Sequence, residues 1–386
     1  MATDELLKEF AQSSSDLDTD FEESGNIGLD MALTNGKGIP IGSYIILCAA
    51  KGSGKTTTCM DTVRRILAGW ERTNQTKNKI LYIDMEKSKE LAKLIGLSAY
   101  IDNGMLLYKP GQCSITTLEK ISQRIIDKKK PYCDIKYIFI DSITNLISEK
   151  ELKAELEKGD FGNAVAARNK WYKKYLAPLE SMGVTIFGIS QFRKKQRASE
   201  YEDPNKAAVA DGDLHYADII LKVSKSTGGT DAETKKVDVF NAITGKMEKL
   251  SPVFKVTYSV YEDKNRYCHS TSSTSLMTYG KGCNNWYALK TLYVSNGYLK
   301  NKGSASHPRW NFTDEVLEFL GIEVPEDMNK AELTEFLNEN LPALKDFLRS
   351  VDKYHALTAA QTKAVSEDDE DIDDDEYSDE EDLGDE

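Results

Sequence analysis

Short apolar runs alternate along the chain with segments of helical periodicity, starting near Ile27. Six runs predict strands buried on both faces of a sheet: SYIILC, KILYID, GMLLYK, KYIFID, VTIFGIS and ADIILKV. Between the first two, KTTTCMDTVRRILAGW predicts an amphipathic helix. Its apolar stripe consists of Met60, Val63, Ile66, Leu67 and Trp70. A second helix is expected to begin at a Ser114 cap. Strands that alternate with helices predict an α/β fold with a mostly parallel, twisted sheet flanked by helices.

Different patterns flank this core and divide the chain into four expected parts. These are an N-terminal docking arm at 1–26, the core at 27–261, a small C-terminal α+β domain at 262–365, and a disordered tail at 366–386. The arm combines a short helix, DELLKEFAQ, with a Ser/Asp-rich linker. The C-terminal domain begins with Tyr, Ser and Asn-rich sequence and then predicts two helices, TDEVLEFLG and NKAELTEFLNENLPALKDFLRSV. The second carries a capping box, formed by Asn329 and Glu332.

The net charge of -13 is concentrated in the tail. Residues 367–386 hold 15 acidic side chains and no basic one, so the rest of the chain has 48 carboxylates against 50 Lys and Arg and a net charge near +2. A block of like charges with few apolar residues cannot form a core. The tail is expected either to aid solubility or to regulate the protein by competing with an anionic ligand or by docking a partner.

Cysteine, histidine and hydropathy patterns restrict the cellular setting. The six cysteines form no CxxC pair and, apart from the neighbours Cys268 and His269, lie away from the four histidines, which favours a reducing compartment and argues against structural zinc. No run approaches the ~20 apolar residues of a membrane span, and the polar N-terminus lacks a signal sequence. We therefore expect a cytoplasmic protein with no membrane partner.

The stretch LCAAKGSGKTTT between a strand and a helix predicts a phosphate-binding loop. The pattern GxxxxGK[ST] has glycine where this chain has Ala49, and alanine is tolerated there if φ is negative. Lys55 is expected to reach the β/γ-phosphates of ATP and Thr56 to hold Mg²⁺. The expected nucleotide contacts are Ala49, Ala50, Lys51, Gly52, Ser53, Gly54, Lys55, Thr56, Thr57 and Asp141.

Acidic residues follow two of the predicted strands. Asp141 ends KYIFID at the position of a carboxylate that orients Mg²⁺, so Thr56 and Asp141 are the expected metal ligands. KILYIDMEKS ends in Asp84 and Glu86, and a carboxylate beside the γ-phosphate can act as general base toward water.

A third strand, VTIFGIS, leads into a basic segment with aromatic residues. Gln191 stands where the strand is expected to meet the γ-phosphate, and so can report the nucleotide state to the segment that follows. Basic side chains with interspersed aromatic rings are typical of single-strand binding, by contact with phosphates and stacking on bases. A solvated charged loop is the alternative.

The order of these motifs resembles that of the RecA-type strand-exchange recombinases, including their phage-encoded UvsX-type relatives. The resemblance covers roughly residues 26–260. It rests on the P-loop with its lead-in GLDMALTNGKGIPIGSYIILC, on YIDMEKS, on IFIDSITNL, on GDFGNAVAARNKW and on ISQFRKK. The second DNA loop departs from the family pattern, because it has DGD in place of paired glycines.

The resemblance implies a helical filament on single-stranded DNA that pairs with homologous duplex DNA, with ATP and Mg²⁺ between neighbouring subunits. Glu86, Lys55 and Gln191 become the expected catalytic residues. The DNA-binding loops are expected at 148–163 and 192–212. The expected DNA contacts are Arg168, Phe192, Arg193, Lys194, Lys195, Arg197 and Tyr201. Lys246 and Lys249 are expected to reach ATP from the neighbouring subunit. Single-strand-binding and mediator proteins are further expected partners.

Two other functions remain open at this point. One is a ring-forming replicative helicase motor on the same fold, against which the Asp141–Ser142 pair and the GDFGNAVAAR segment argue. The other is a recombination mediator or regulator that binds nucleotide without strand exchange.

Overall fold

The computed structural model describes residues 19–149, 163–194, 205–207, 211–226, 237–241, 246–250, 253–268, 272–304 and 306–350. The expected arm helix and the acidic tail lie outside these residues. Within them, a large sheet and the helices on its two faces form the centre of the molecule.

The strands and helices are numbered in chain order. The strands are β1 Phe21–Glu22, β2 Ile39–Pro40, β3 Tyr44–Ala49, β4 Lys79–Asp84, β5 Leu106–Pro110, β6 Ile135–Asp141, β7 Thr185–Lys194, β8 Asn205–Ala207, β9 Ile219–Ser226, β10 Val237–Asn241, β11 Lys246–Leu250, β12 Val253–Asn265, β13 Ser272–Thr278, β14 Gly282–Asn284, β15 Leu299–Asn301 and β16 Trp310–Phe312. The helices are α1 Ile27–Thr34, α2 Lys55–Arg72, α3 Lys89–Ile95, α4 Ser98–Asp102, α5 Ile115–Ile126, α6 Asn163–Trp171, α7 Ala177–Ser181, α8 Asp211–Tyr216, α9 Asn285–Ser295, α10 Asp314–Leu320, α11 Lys330–Glu339 and α12 Leu341–Ser350. A π-helical turn, Tyr172–Leu176, joins α6 to α7.

The main sheet has the strand order β14, β13, β12, β9, β3, β7, β6, β4, β5, with β8 paired to β7 off this path. The six strands from β9 to β5 are parallel, and the strands beyond β9 extend the sheet in antiparallel fashion. All six strands predicted from apolar runs are present, and the mixed α/β fold with a mostly parallel sheet is confirmed.

Apolar strands and helix stripes explain how the two faces of the sheet are covered. Every residue of β3 is buried, as expected when both faces carry helices. The five predicted apolar positions of α2 are all buried. In α5, the Ser114 side chain accepts a hydrogen bond from the backbone N–H of Thr117 at 3.1 Å, which confirms the predicted cap. The central strands also stack aromatic rings, such as Phe139 on Phe187 with centroids 4.7 Å apart.

The C-terminal region differs from its prediction in two ways. The expected core boundary at 261 falls inside β12, and the main sheet continues to Asn284, so the strands favour a division after that residue. The segment predicted as one long helix forms α11 and α12 instead. Pro342 explains the break, because it lacks the N–H that a continuous helix needs and its ring clashes with the preceding turn. The predicted capping box of Asn329 and Glu332 is present.

A buried carboxylate ties α2 to the edge of the sheet. Asp61 accepts hydrogen bonds from the Arg65 side chain at 2.8 Å and from the backbone N–H of Cys283 at 2.8 Å. Arg65 in turn donates to the carbonyl oxygens of Cys283 and Gly25. A Cβ atom at Gly282 would lie 2.2 Å from the Asp61 carboxyl group, so only glycine fits there.

The linker before α1 contacts both the core and the last helix. Glu22 accepts hydrogen bonds from the Trp70 indole and the Tyr137 hydroxyl, both at 2.6 Å. Glu23 pairs with Lys345 at 2.8 Å and Arg349 at 3.0 Å, both on α12. These contacts join the two ends of the described chain. Across the described ranges, none of the helices combines the length and the apolar character required to cross a membrane.

Asp30 on α1 generates a test of stability against pH. Burial raises the pKa of Asp30 to about 6 from 3.8, although Ser24 and Lys345 oppose the shift. The folded state therefore holds this proton more tightly than the unfolded state, so this contribution to stability is full below pH 4 and is lost as pH rises through 6. We expect the Asp30→Asn variant to gain about 3 kcal/mol relative to wild type between pH 4 and 7, with no further change above. Denaturant unfolding across this pH range measures the difference in the free energy of unfolding between the variant and wild type. If that difference does not change with pH, Asp30 is not buried as described.

Candidate nucleotide site

The register of the parallel strands brings the expected site residues to one edge of the sheet. Ala49 in β3 pairs with Gln191 in β7, and Asp84 in β4 pairs with Asp141 in β6. Because all these strands run in the same direction, their carboxyl ends meet at this edge, where ligands of open α/β sheets bind.

The phosphate-binding loop lies between β3 and α2. Ala49 is the last residue of β3 and has an extended backbone, so the conformation tolerates alanine in place of the expected glycine. Gly52 and Gly54 have φ values of 78° and 90°, which only glycine adopts without strain. Gly54 caps α2, and a Cβ atom there would come within 3.1 Å of the Phe254 ring. The loop therefore ends at the N-terminus of an 18-residue helix, whose backbone N–H groups favour an anion.

Three predicted catalytic side chains meet beside this loop. The Lys55 ammonium lies 3.6 Å from Glu86 Oε2, and the Gln191 side-chain amide donates to Glu86 Oε1 at 2.9 Å. Lys55 is 5% exposed, while 24% of the Glu86 side chain is exposed. The partly open carboxylate can therefore contact a ligand in the loop without breaking the local packing.

The neighbouring carboxylate, Asp84, has a different environment. It is fully buried and accepts hydrogen bonds from the backbone N–H of Ser88 at 2.6 Å and from the Tyr108 hydroxyl. These bonds hold the turn that follows β4. Of the two carboxylates that the sequence offered as general base, the geometry favours Glu86, because only Glu86 contacts Lys55 and Gln191.

Asp141 is suited to a cation. It is completely buried, and the Tyr82 hydroxyl donates to its Oδ2 at 3.2 Å, while Oδ1 is buried without a hydrogen-bond partner. Burial, followed by the negative charge of Glu86, raises the pKa of Asp141 to about 7, and nearby Thr56 and Lys55 oppose the shift. A divalent cation would satisfy the free oxygen and favour the charged carboxylate.

The expected second DNA loop begins as a hairpin. β7 extends through Phe192 to Lys194 and pairs with β8, so these residues lie in a strand and not in an irregular loop. The Phe192 ring packs 5.6 Å from the Tyr261 ring, and the Lys222 ammonium lies 5.8 Å above Phe192. The other expected contacts of this loop, Lys195, Arg197 and Tyr201, lie outside the described residues.

The two lysines expected to reach a neighbour's ATP lie in a separate hairpin. Lys246 and Lys249 are in β11, opposite Asn241 and Asp238 of β10. This two-stranded sheet is separate from the main sheet. The contact of both lysines with ATP of a neighbouring subunit stays a prediction.

Arg168 does not fit its expected role as a direct DNA contact. It is 5% exposed, and its guanidinium makes two hydrogen bonds to Asp213, at 3.1 and 3.0 Å. With this little exposure, and with Nε and Nη2 both bonded to Asp213, Arg168 offers almost no accessible surface to a DNA phosphate. In the sequence, Arg168 is a basic residue near the first expected loop. Its partner Asp213 lies 45 positions away, and no local sequence pattern predicts that the two side chains meet.

Comparison with known proteins identifies one protein family and several relatives. The family described as the RecA N-terminal domain matches residues 5–261. Protein RecA of Mycoplasmopsis pulmonis is 26% identical over 295 residues, which cover 74% of this chain and 75% of the relative. Protein RecA of Sulfurovum sp. is 23% identical over 237 residues, 60% of this chain and 62% of the relative. Protein RecA of Ureaplasma parvum serovar 3 is 21% identical over 306 residues, 78% of this chain and 86% of the relative.

Lys55 can be tested against another lysine of the same loop. We expect Lys55→Ala to weaken binding of a fluorescent ATP analogue by at least about 100-fold, since a buried charge-assisted contact is lost. Lys51→Ala removes the same charge from an exposed position and leaves the backbone amide, so it should weaken binding far less. Equal losses in a fluorescence titration would show that general charge, and not the placement of Lys55, determines affinity.

Proposed function

Because the chain belongs to the RecA family, we propose that it is an ATP-dependent DNA strand-exchange protein that acts in homologous recombination and DNA repair. The observation that carries this proposal is the convergence of Lys55, Glu86, Gln191 and Asp141 at the carboxyl edge of the sheet. A phosphate-binding loop, a buried cation ligand and an open carboxylate at one edge fit the hydrolysis of a nucleoside triphosphate.

Each residue has a separate task in this proposal. Lys55 binds the terminal phosphates, and Thr56 and Asp141 would hold Mg²⁺, which would supply positive charge to the phosphate oxygens. Glu86 accepts a proton from the attacking water, and its ion pair with Lys55 and hydrogen bond from Gln191 orient it.

Gln191 supplies the connection to DNA. It bonds to the proposed base from the carboxyl-terminal half of β7, and the same strand continues through the basic residues Arg193 and Lys194. A change in the position of Glu86 on nucleotide binding would therefore move the start of the second DNA loop. Single-stranded DNA bound by contacts to phosphates and base faces is recognised without regard to sequence, and homology is then read by base pairing.

Self-assembly completes the proposed function. Protomers form a helical filament along one DNA strand, with ATP at the interface between neighbours, and the filament pairs its strand with a homologous duplex. Lys246 and Lys249 are the side chains proposed to reach the neighbour's nucleotide. Single-strand-binding and mediator proteins are proposed to regulate loading.

Assembly shape and strand invasion test the function directly. With single-stranded DNA and a non-hydrolysable ATP analogue, we expect open helical filaments by negative-stain microscopy. With ATP, we expect invasion of a homologous supercoiled duplex and ATP hydrolysis that rises on addition of single-stranded DNA. Closed rings would support the helicase motor instead. Nucleotide binding without DNA-stimulated hydrolysis or strand invasion would support the regulator.

Replacement of the proposed base separates binding from hydrolysis. Glu86→Gln keeps an oxygen that can accept from Gln191 but cannot take a proton, so we expect ATP and DNA binding to persist while turnover falls by about 10²–10⁴-fold. Asp84→Asn, two residues away, is the matched control. It should lower thermal stability, because Asp84 holds the turn, and leave much more of the turnover per folded molecule. Normal turnover in Glu86→Gln would assign the base to another group.

A further inference from the structure

A buried ion pair joins the two segments that follow the proposed DNA loops. α6 begins at Asn163, where the first loop ends, and α8 begins at Asp211, where the second loop ends. Arg168 of α6 donates from Nε to Asp213 Oδ1 at 3.1 Å and from Nη2 to Oδ2 at 3.0 Å. The side chains are 6% and 1% exposed, respectively. This planar, two-point contact fixes direction as well as distance.

A tyrosine hydroxyl extends the contact toward the strand that carries the phosphate-binding loop. Tyr172 donates to Asp213 Oδ1 at 2.6 Å, and its hydroxyl lies 3.0 Å from the hydroxyl of Tyr44 in β3. Burial raises the pKa of both phenols well above the usual range, so both stay neutral. Burial lowers the pKa of Arg168, but the charge and hydrogen bonds of Asp213, together with Tyr172 and Tyr44, raise it overall. The cluster is therefore a fixed set of donors and acceptors around one carboxylate.

The same two helices also meet at a second point. A Cβ atom at Gly212 would lie 2.1 Å from Asn169 Oδ1 and 2.8 Å from its Cγ. Gly212 and Asn169 are the immediate neighbours of Asp213 and Arg168. The absence of a side chain at Gly212 thus leaves room for the Asn169 side-chain amide between α6 and α8.

Stability alone is a poor explanation for such a pair. The free-energy cost of removing two charges from water offsets most of the attraction between them. Apolar residues of similar volume often stabilise a fold equally well. What the ion pair adds is a defined geometry between two helices that are 45 positions apart.

We propose that Arg168, Tyr172 and Asp213 form a loop clamp, which sets the spacing between the C-terminal ends of the two DNA-binding loops so that both contact one DNA strand. The proposal rests on the proposed function, because it assigns the loops to DNA. These are positioning residues, and Arg168 acts through Asp213 without touching DNA.

A variant without the charges tests the clamp while sparing the fold. Removal of one partner alone would leave a buried charge and could unfold the protein. We therefore choose the triple variant Arg168→Met, Tyr172→Phe, Asp213→Leu, which removes both charges together and leaves only the Tyr44 hydroxyl without its Tyr172 partner. Its ATP-analogue affinity should stay near that of wild type, and the loss of one neutral hydrogen bond at Tyr44 should lower thermal stability only modestly. Its affinity for labelled oligo-dT, measured by anisotropy with the analogue present, should fall at least about tenfold. If two phosphate contacts are lost, the slope of log K against log salt should also decrease by about 1.4.

Ser122→Ala is the matched control. It removes the hydrogen bond that Trp171 of α6 donates to Ser122 Oγ at 3.0 Å, a buried polar contact of the same helix that faces α5 and joins no loop. This variant should keep the wild-type DNA affinity and salt slope. A second test variant, Arg168→Lys, keeps the buried charge pair but replaces the two-point contact with Asp213 by a one-point contact, so it should weaken DNA binding in the same direction as the triple variant.

The outcomes separate the clamp from the wider function. Wild-type DNA affinity and salt slope in a folded triple variant would overturn the clamp and leave the recombinase function intact. Equal losses in the triple variant and in Ser122→Ala would also overturn it, because general loosening of α6 would then suffice. Absence of DNA binding by wild type would overturn the proposed function itself. If the triple variant does not fold, Arg168→Lys decides: unchanged DNA affinity overturns the clamp, and a selective loss supports it.

Discussion

Backbone hydrogen bonds between β3, β7, β6 and β4 hold the carboxyl ends of four parallel strands at one edge, and the chemistry of the protein depends on that alignment. A shift of one residue in any pairing would turn the side chains of that strand to the opposite face. The pairing of Ala49 with Gln191 and of Asp84 with Asp141 therefore matters more than any single contact. The helices on both faces stabilise this register by burying all of β3 and most of β4 and β6.

Much of this edge could be predicted from sequence, because each part has a local signal. Apolar runs gave the strands, a glycine-rich turn gave the phosphate-binding loop, and acidic residues after strands gave Glu86 and Asp141. Contacts between distant segments had no such signal. The residue pattern alone did not separate Asp84 from Glu86, since both follow the same strand. The family resemblance selected Glu86, and the Ser88 and Tyr108 contacts of Asp84 arise only on folding. Likewise, Arg168 has the positive charge expected of a DNA contact, but in the fold its guanidinium bonds to Asp213 instead.

Two ion pairs show how burial divides the charged side chains between structure and function. Arg168 and Asp213 are closed on each other, with neither side chain more than 6% exposed. Lys55 and Glu86 are 3.6 Å apart, and Glu86 remains partly open. In the first pair, two hydrogen bonds join the guanidinium to the carboxylate and fix the position of α8 relative to α6. The second is loose enough to exchange its partner for a phosphate group or a water molecule, as a site that binds and releases ligand requires.

The contacts of Asp61 and Arg65 with Cys283 have a consequence for how copies of the protein can associate. Exposed edge strands invite backbone pairing with another chain and hence aggregation. At β14, the outward backbone N–H and carbonyl of Cys283 already bond to Asp61 and Arg65 of α2. At the opposite edge, β5 ends in Pro110, which has no N–H to donate. A polymer that grows by backbone pairing between strands would find the β14 edge already hydrogen-bonded at Cys283 and the β5 edge without an N–H donor at Pro110. Among the described residues, the two edges of the main sheet are therefore poorer sites for ordered association than side-chain surfaces, which can be specific and reversible.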